Sequence, residues 1–287
     1  MLKFFIDAAS DIEVDDRWEI YLALKVEPPE LKRRESIVDS QTHLTRKQQS
    51  SVPLVSVAGF ASVYSYFGIP RGRRRVSQFF VPPPFQGQSV GFHLLRLLHL
   101  DTVERTEICE INVEDPAPGF RQLRDYVDLY CGVERGIITE QDLQERGKPH
   151  LERVPLMKEG RLQNLRLQEI LRLASCLPAR KAVETKAKTP HQDALSETDK
   201  GRAHRALKWY PDVATWASGS KVQTLRVDVK RRLRTQQFDD MHAMPAAEVR
   251  MRLHAQWLDL FCSYARTVWK LREAVERGSL RPNALSA

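Results

Sequence analysis

Apolar and other residues alternate with period two through Trp18, Ile20, Leu22, Leu24 and Val26, which predicts a strand over 18–26. Tyr21 and Ala23 within that run imply that its second face is partly covered as well. Shorter apolar runs predict strands over 4–6, 54–67 (with Gly59 as a bulge or bend), 76–81 and 108–113. The period then changes. Leu94, Leu95, Leu97, Leu98 and Leu100 mark a helix that starts at Val90, and Leu123, Tyr126, Val127 and Tyr130 mark another that starts near Phe120. Further on, the pattern is helical throughout. Thr139-Glu140-Gln141-Asp142 reads as a capping box with Asp in the third position. Residues 162–173 are periodic, and Trp257, Phe261, Tyr264, Val268, Leu271 and Val275 step by four and three along one long amphipathic helix. That last stripe reads as an intramolecular packing face.

Three stretches break the pattern. Residues 27–51 are polar and without period, as in a flexible insertion between strands; 178–205, rich in Lys, Glu, Thr and Ala, read as a disordered insertion. Arg71-Gly72-Arg73-Arg74-Arg75 reads as a basic turn. The expected fold class is α/β (α+β). A mixed, mostly antiparallel sheet flanked by helices occupies residues 1–131, and a helical carboxyl-terminal region occupies 132–287.

The chain has 287 residues, of which 42% are hydrophobic and 29% charged, as in a globular protein with a sizeable core. No apolar run approaches the ~20 residues needed to span a bilayer. Met-Leu-Lys-Phe-Phe-Ile-Asp at the start meets an acid too early for a secretory signal. Cys109, Cys131, Cys176 and Cys262 have neither metal nor disulfide spacing, which fits a reducing compartment. Cys109 is expected buried inside its strand, and the scattered histidines predict no metal site. The net charge of +8 is uneven. Asp7, Asp11, Glu13, Asp15, Asp16 and Glu19 crowd the first twenty residues and suit a cationic substrate, whereas Arg71–Arg75 and Lys230-Arg231-Arg232 suit anionic partners.

The chemistry concentrates in residues 78–92. A strand ends in Val81-Pro82-Pro83-Pro84, a turn follows at Phe85-Gln86-Gly87-Gln88-Ser89, and an apolar helix starts at Val90-Gly91-Phe92. Unpaired N–H groups and the positive end of the helix dipole meet in such a turn, which is how a diphosphate is held. The turn lacks the Gly-Lys-Ser/Thr of a nucleotide-hydrolase loop and the three glycines of a dinucleotide fold. The strand 108–113 that follows ends in the acidic pair Glu114-Asp115.

Gln86-Gly87-Gln88-Ser89-Val90-Gly91 resembles the pyrophosphate motif of the GNAT acetyltransferase superfamily, with Ser89 in place of a glycine. Further strings resemble the type B histone acetyltransferases within it. These are Phe5-Ile6-Asp7-Ala8-Ala9-Ser10, Val63-Tyr64-Ser65-Tyr66, Arg75-Val76-Ser77-Gln78, Val113-Glu114-Asp115-Pro116, Glu169-Ile170-Leu171-Arg172-Leu173 and Asp228-Val229-Lys230-Arg231-Arg232-Leu233. The likeness is good over 4–26 and 54–131, patchy over 139–177 and 222–275, and absent from the two insertions.

The resemblance implies that acetyl-CoA lies between two parted strands. Phe79, Phe80 and Val81 would bind its pantetheine arm and the amides of Gln86, Gly87, Gln88, Ser89, Val90, Gly91 and Phe92 its diphosphate. Phe120 would pack near its thiol. It implies Glu114 as general base, with Asp115 and Asp7 close by, and Trp18, Tyr64, Ser65 and Tyr66 as the walls of an acceptor groove. A base raised in pKa by burial and by a like-charged neighbour would suit the task. The implied substrate is the amino-terminal tail of newly made histone four, the implied partner a WD-repeat histone chaperone, and the implied location both nucleus and cytoplasm. Type B enzymes carry a further amino-terminal domain, whereas this sequence starts almost at the first strand, as in a short form or an incompletely read gene. Two other readings fit the same residues: an acetyltransferase for another amine, and a non-enzymatic chromatin or nucleic-acid-binding module.

Overall fold

A computed structural model describes residues 15–27, 53–178 and 213–281. The predicted strand over 4–6, Asp7, the acidic tract up to residue 14 and nearly all of both insertions lie outside them.

Four strands form one sheet in the order β1 (Trp18–Glu27), β2 (Leu54–Tyr66), β3 (Gly72–Phe80) and β4 (Ile108–Val113). The first three are antiparallel neighbours, and β4 runs parallel to β3. The parallel step needs a crossover, and α1 (Val90–Glu104) supplies it. The predicted bulge is present, since Ala23 pairs with Gly59 while Leu24 pairs with Val57. α1 lays Leu94 and Leu98 on the inner face of the sheet against Ala61, Val63, Val76 and Ile111. α2 (Pro118–Glu134) begins two residues before Phe120 with proline at its first position, where a missing N–H costs nothing.

Two sequence expectations need correction. The basic run is a strand rather than a turn, because Arg73, Arg74 and Arg75 all lie in β3. Arg74 points inward and is wholly buried. Its guanidinium donates to Asp101 and Thr102 at 2.8 Å, to Tyr21 at 2.6 Å and to Glu19 at 3.1 Å. Long-range carboxylates thus satisfy a charge that the local sequence assigns to solvent. Cys109 is exposed instead of buried, at the register shift between β3 and β4, with Sγ 3.2 Å from the Gly72 carbonyl.

The remaining described residues are mainly helical. α3 (Arg161–Cys176), α4 (Gln223–Gln236) and the long α5 (Ala246–Glu276) pack with α2 around a core of Leu129, Leu167, Ile170, Leu171, Trp257 and Phe261. Trp257, Phe261, Tyr264, Val268 and Leu271 are buried in it and Val275 lies at its margin, so the stripe on α5 is an internal packing face. Asp142 accepts the Thr139 N–H at 2.6 Å and the hydroxyl at 2.8 Å, as the capping pattern predicts. The architecture is the expected α/β one, a mixed sheet followed by a helical region.

Candidate active site

β3 and β4 pair from Gly72↔Ile108 to Val76↔Val113, and the Glu114 N–H adds a last bond to the Val76 carbonyl at 3.0 Å. There the strands part. On β3, Ser62 of β2 pairs with Gln78 while Val63 pairs with Val76, so Ser77 is an extra residue that bends the strand. On β4, Asp115 takes the left-handed conformation (φ 35°) and Pro116 follows, which ends the extended run. β3 continues from Ser77 to Phe80 beside β2 alone among the described residues. Glu114 stands at the fork.

The turn after β3 has the features of an anion cradle. Its N–H groups from Gly87 to Phe92 meet no acceptor among the described residues. Gly87 lies at φ 74°, and a Cβ there would point into open space. Ser89 caps α1 at φ 62°, and its hydroxyl makes no capping bond. The glutamines brace the turn from within: Gln86 Nε2 donates to the Val81 carbonyl at 2.9 Å and Gln88 Nε2 to that of Pro84 at 2.7 Å. Gly91 lets α1 approach α2 closely, since a Cβ on it would lie 3.2 Å from Leu123. Phe120 packs edge-on against Phe79 at 4.8 Å, and the Phe92 ring packs edge-on against Tyr130 at 5.0 Å. Phe92 can therefore offer the cradle only its backbone.

On the outer face of the sheet, Trp18, Tyr64 and Tyr66 form an edge-to-face ladder with centroids 5.0 and 4.7 Å apart. Arg17 caps Tyr64 at 5.0 Å, and Tyr64 donates to Asp15 at 3.3 Å. The Arg17 guanidinium holds the Asp15 carboxyl well below the usual carboxylate range. Ser65 points to the opposite face, where its hydroxyl donates to Glu19 at 3.3 Å, so it does not line the ladder. Glu114 joins this face through Arg75. The guanidinium lies 5.1 Å over the Tyr66 ring and its Nε 3.4 Å from Glu114 Oε2. The burial expected of Glu114 is absent: its side chain is 46% exposed, and Asp115 is exposed too. Arg75 was not legible as a site residue, because nothing local in a run of arginines separates the one that meets Glu114 from the one that is buried.

β4 is anchored from the helical region. Ile111 exchanges backbone bonds with Lys158 (2.8 Å) and Gly160 (3.2 Å), and Arg124 donates to the Ile111 carbonyl at 3.1 Å. Arg124 also pairs with Glu159 and, at 3.5 Å, with Asp128. His99 Nδ1 lies 3.2 Å from Glu159 and 3.9 Å from Asp128, and all four side chains are buried. Burial and the neighbouring Glu159 charge push Asp128 well above the usual carboxylate range, while Arg124 holds Glu159 below it. His99, Asp128 and Glu159 have metal-ligand proximity, with one donor atom each within 4.8 Å of the others. Arg124 already serves both carboxylates, however, and burial with the Glu159 charge favours the protonated form of Asp128.

No family model matches the chain. Among curated proteins it is similar to the type B histone acetyltransferase catalytic subunit of Rattus norvegicus, with 23% identity over 252 residues, 84% of this chain and 54% of that one. The chain is thus similar to type B histone acetyltransferase catalytic subunits. The Homo sapiens subunit is 32% identical over 138 residues, covering 45% of this chain and 28% of that one. The Cryptococcus neoformans subunit is 41% identical over 83 residues, 29% of this chain and 20% of its own. The chain thus spans about half the length of the rat type B subunit.

Proposed function

We propose that the chain is an acetyl-CoA-dependent lysine acetyltransferase that acts on the amino-terminal tail of newly made histone four. One observation carries the reading: β3 and β4 part at Val76 and Val113, with a carboxylate at the fork and a run of acceptorless amides at the nearby start of α1. The names of the relatives support the same activity.

In this reading the amides from Gly87 to Phe92 hold the coenzyme diphosphate, the Gln86 N–H being taken by the Pro83 carbonyl at 3.2 Å, and the segment Phe79, Phe80 and Val81 orients the pantetheine arm and thioester carbonyl. Phe120, packed on Phe79, closes the thiol end. The acceptor lysine crosses the ladder of Trp18, Tyr64 and Tyr66. It arrives as an ammonium with a pKa near 10.4 and must lose a proton before it can attack. Glu114 takes that proton. The nitrogen then adds to the thioester carbon, the C–N bond forms, the C–S bond breaks, and the departing thiolate is protonated. Asp115 beside the fork adds to the acidic surroundings; Asp7, the further acid that the resemblance implies, lies outside the described residues. A WD-repeat histone chaperone would present the substrate, in both cytoplasm and nucleus. No metal enters this scheme.

The test is incubation with labelled acetyl-CoA and a histone-four tail peptide beside the same peptide with its lysines replaced by arginine. Label on the lysine peptide alone is expected. Label on neither would refute the enzymatic reading, and salt-sensitive DNA binding without acetyl-CoA affinity would favour the non-enzymatic one.

A further inference from the structure

The guanidinium of Arg75 stands where an acceptor amine has to come. It lies on the Tyr66 ring, part of the aromatic ladder, and its Nε is 3.4 Å from the Glu114 carboxylate. A cation over an aromatic face beside a carboxylate is also the setting that a lysine ammonium seeks. Arg75 is held loosely there. Its buried Nε makes no properly aligned hydrogen bond, and its side chain is about a third exposed, at 37%. By contrast, Arg73 on the same face pairs with Glu110 at 3.1 Å, and Arg74 is locked by four partners on the other face. There is also room for Arg75 to leave. A cavity of about 470 Å³, lined by Tyr66, Phe67, Arg71, Arg73, Arg75 and Asn112, opens directly beside it.

We infer that Arg75 is a cationic placeholder that selects for polypeptide acceptors. With no acceptor bound it occupies the Glu114 carboxylate and the Tyr66 face, and an entering lysine displaces it into the adjoining cavity. This rests on the reading of Glu114 as the proton acceptor. Displacing the guanidinium costs free energy that contacts elsewhere on a long substrate can supply, and a small free amine cannot. Arg75 thus acts through Glu114 as a positioning and specificity residue, and it separates a tail-modifying enzyme from one that acetylates small amines.

The full chain and its R75Q, R75K and E114Q variants decide the matter. Two acceptors are compared, a histone-four tail peptide and N-acetyl-lysine amide, with acetyl-CoA affinity as the measure of an intact fold. An exposed ion pair and a cation–π contact together correspond to about three- to thirtyfold in an equilibrium constant. R75Q is expected to lower KM for the small amine by about that factor, with little change in kcat or in acetyl-CoA affinity, and R75K to restore the wild-type KM. A binding arm without acetyl-CoA needs no turnover: R75Q is expected to bind N-acetyl-lysine amide tighter by the same factor. Full turnover in E114Q would remove Glu114 from the base role, and the binding arm would still decide the placeholder. Equal or weaker binding by R75Q, with acetyl-CoA affinity intact, overturns it.

Discussion

Asp128→Asn isolates the buried charge cluster that fixes β4. Arg124 supplies one positive charge against the two carboxylates of Asp128 and Glu159, so charge balance in the trio calls for one further proton, shared by the two carboxylates and favoured on Asp128. Asp128 is raised by burial first and by the Glu159 charge second. A carboxyl whose pKa is raised by folding stabilises fully below its unfolded value, about 3.9, and that contribution is lost as pH climbs toward the folded value. Asparagine imitates the protonated carboxyl. It keeps an acceptor for Gln163 Nε2, now 2.8 Å from Asp128. The variant should therefore gain on wild type by about 1.4 kcal/mol per pH unit from about pH 4 upward, until the folded value is passed. Arg124→Met is the counter-experiment. It strands Glu159 and Asp128 without a cation and should cost about 3–5 kcal/mol. Urea unfolding at a series of pH values, followed by tryptophan fluorescence, measures both. Wild-type and D128N curves that run parallel across pH 4–8 would refute the shared proton, and an Arg124→Met cost under about 1 kcal/mol would refute the electrostatic anchor.

The other expectations are simpler to read. Glu114→Gln should lower kcat by about 10²–10⁴ with acetyl-CoA affinity unchanged in calorimetry, and unchanged turnover would take Glu114 out of the mechanism. Ser89→Gly should raise stability by about 0.5–1 kcal/mol, because Ser89 sits at φ 62° in a conformation costly to any side chain, and the glycine entropy offsets part of the gain. A lower melting temperature in that variant would contradict the left-handed turn. Trp257→Ala should cost about 3–5 kcal/mol, since the ring is wholly buried and its Nε1 donates to the Ala217 carbonyl at 3.0 Å. A loss under 1 kcal/mol in denaturant titration would mean that α5 is not the centre of the helical core.

The elements that could be read in advance are those whose residues repeat. Leu94 and Leu98 on α1, and Trp257 through Leu271 on α5, announce their buried faces at helical spacing. The turn between β3 and α1 was legible because glycine and proline punctuate it. Arg74 was misread because its four partners lie 27 to 55 residues away in sequence, and charge patterning carries no record of such pairings. The same limit hid the meeting of Arg75 with Glu114. Ser65 was grouped with Tyr64 and Tyr66 by the family resemblance, whereas strand alternation sends it to the other face. The anchoring of Ile111 by Lys158 and Gly160 had no signal at all, because backbone bonds leave no composition behind.

That backbone exchange makes the later helices part of the fork's foundations. Severing the chain after α2 would strip the outer rim of β4, take the Lys158 acceptor from the Ile111 amide, and remove Glu159 from the Arg124 guanidinium, which would keep only Asp128 and the Ile111 carbonyl. Such a fragment would bring a sticky strand and an under-compensated charge to the very segment that carries Glu114. Efforts to shrink the protein to a minimal catalytic piece should therefore keep the stretch through Gly160 and the helix that follows it.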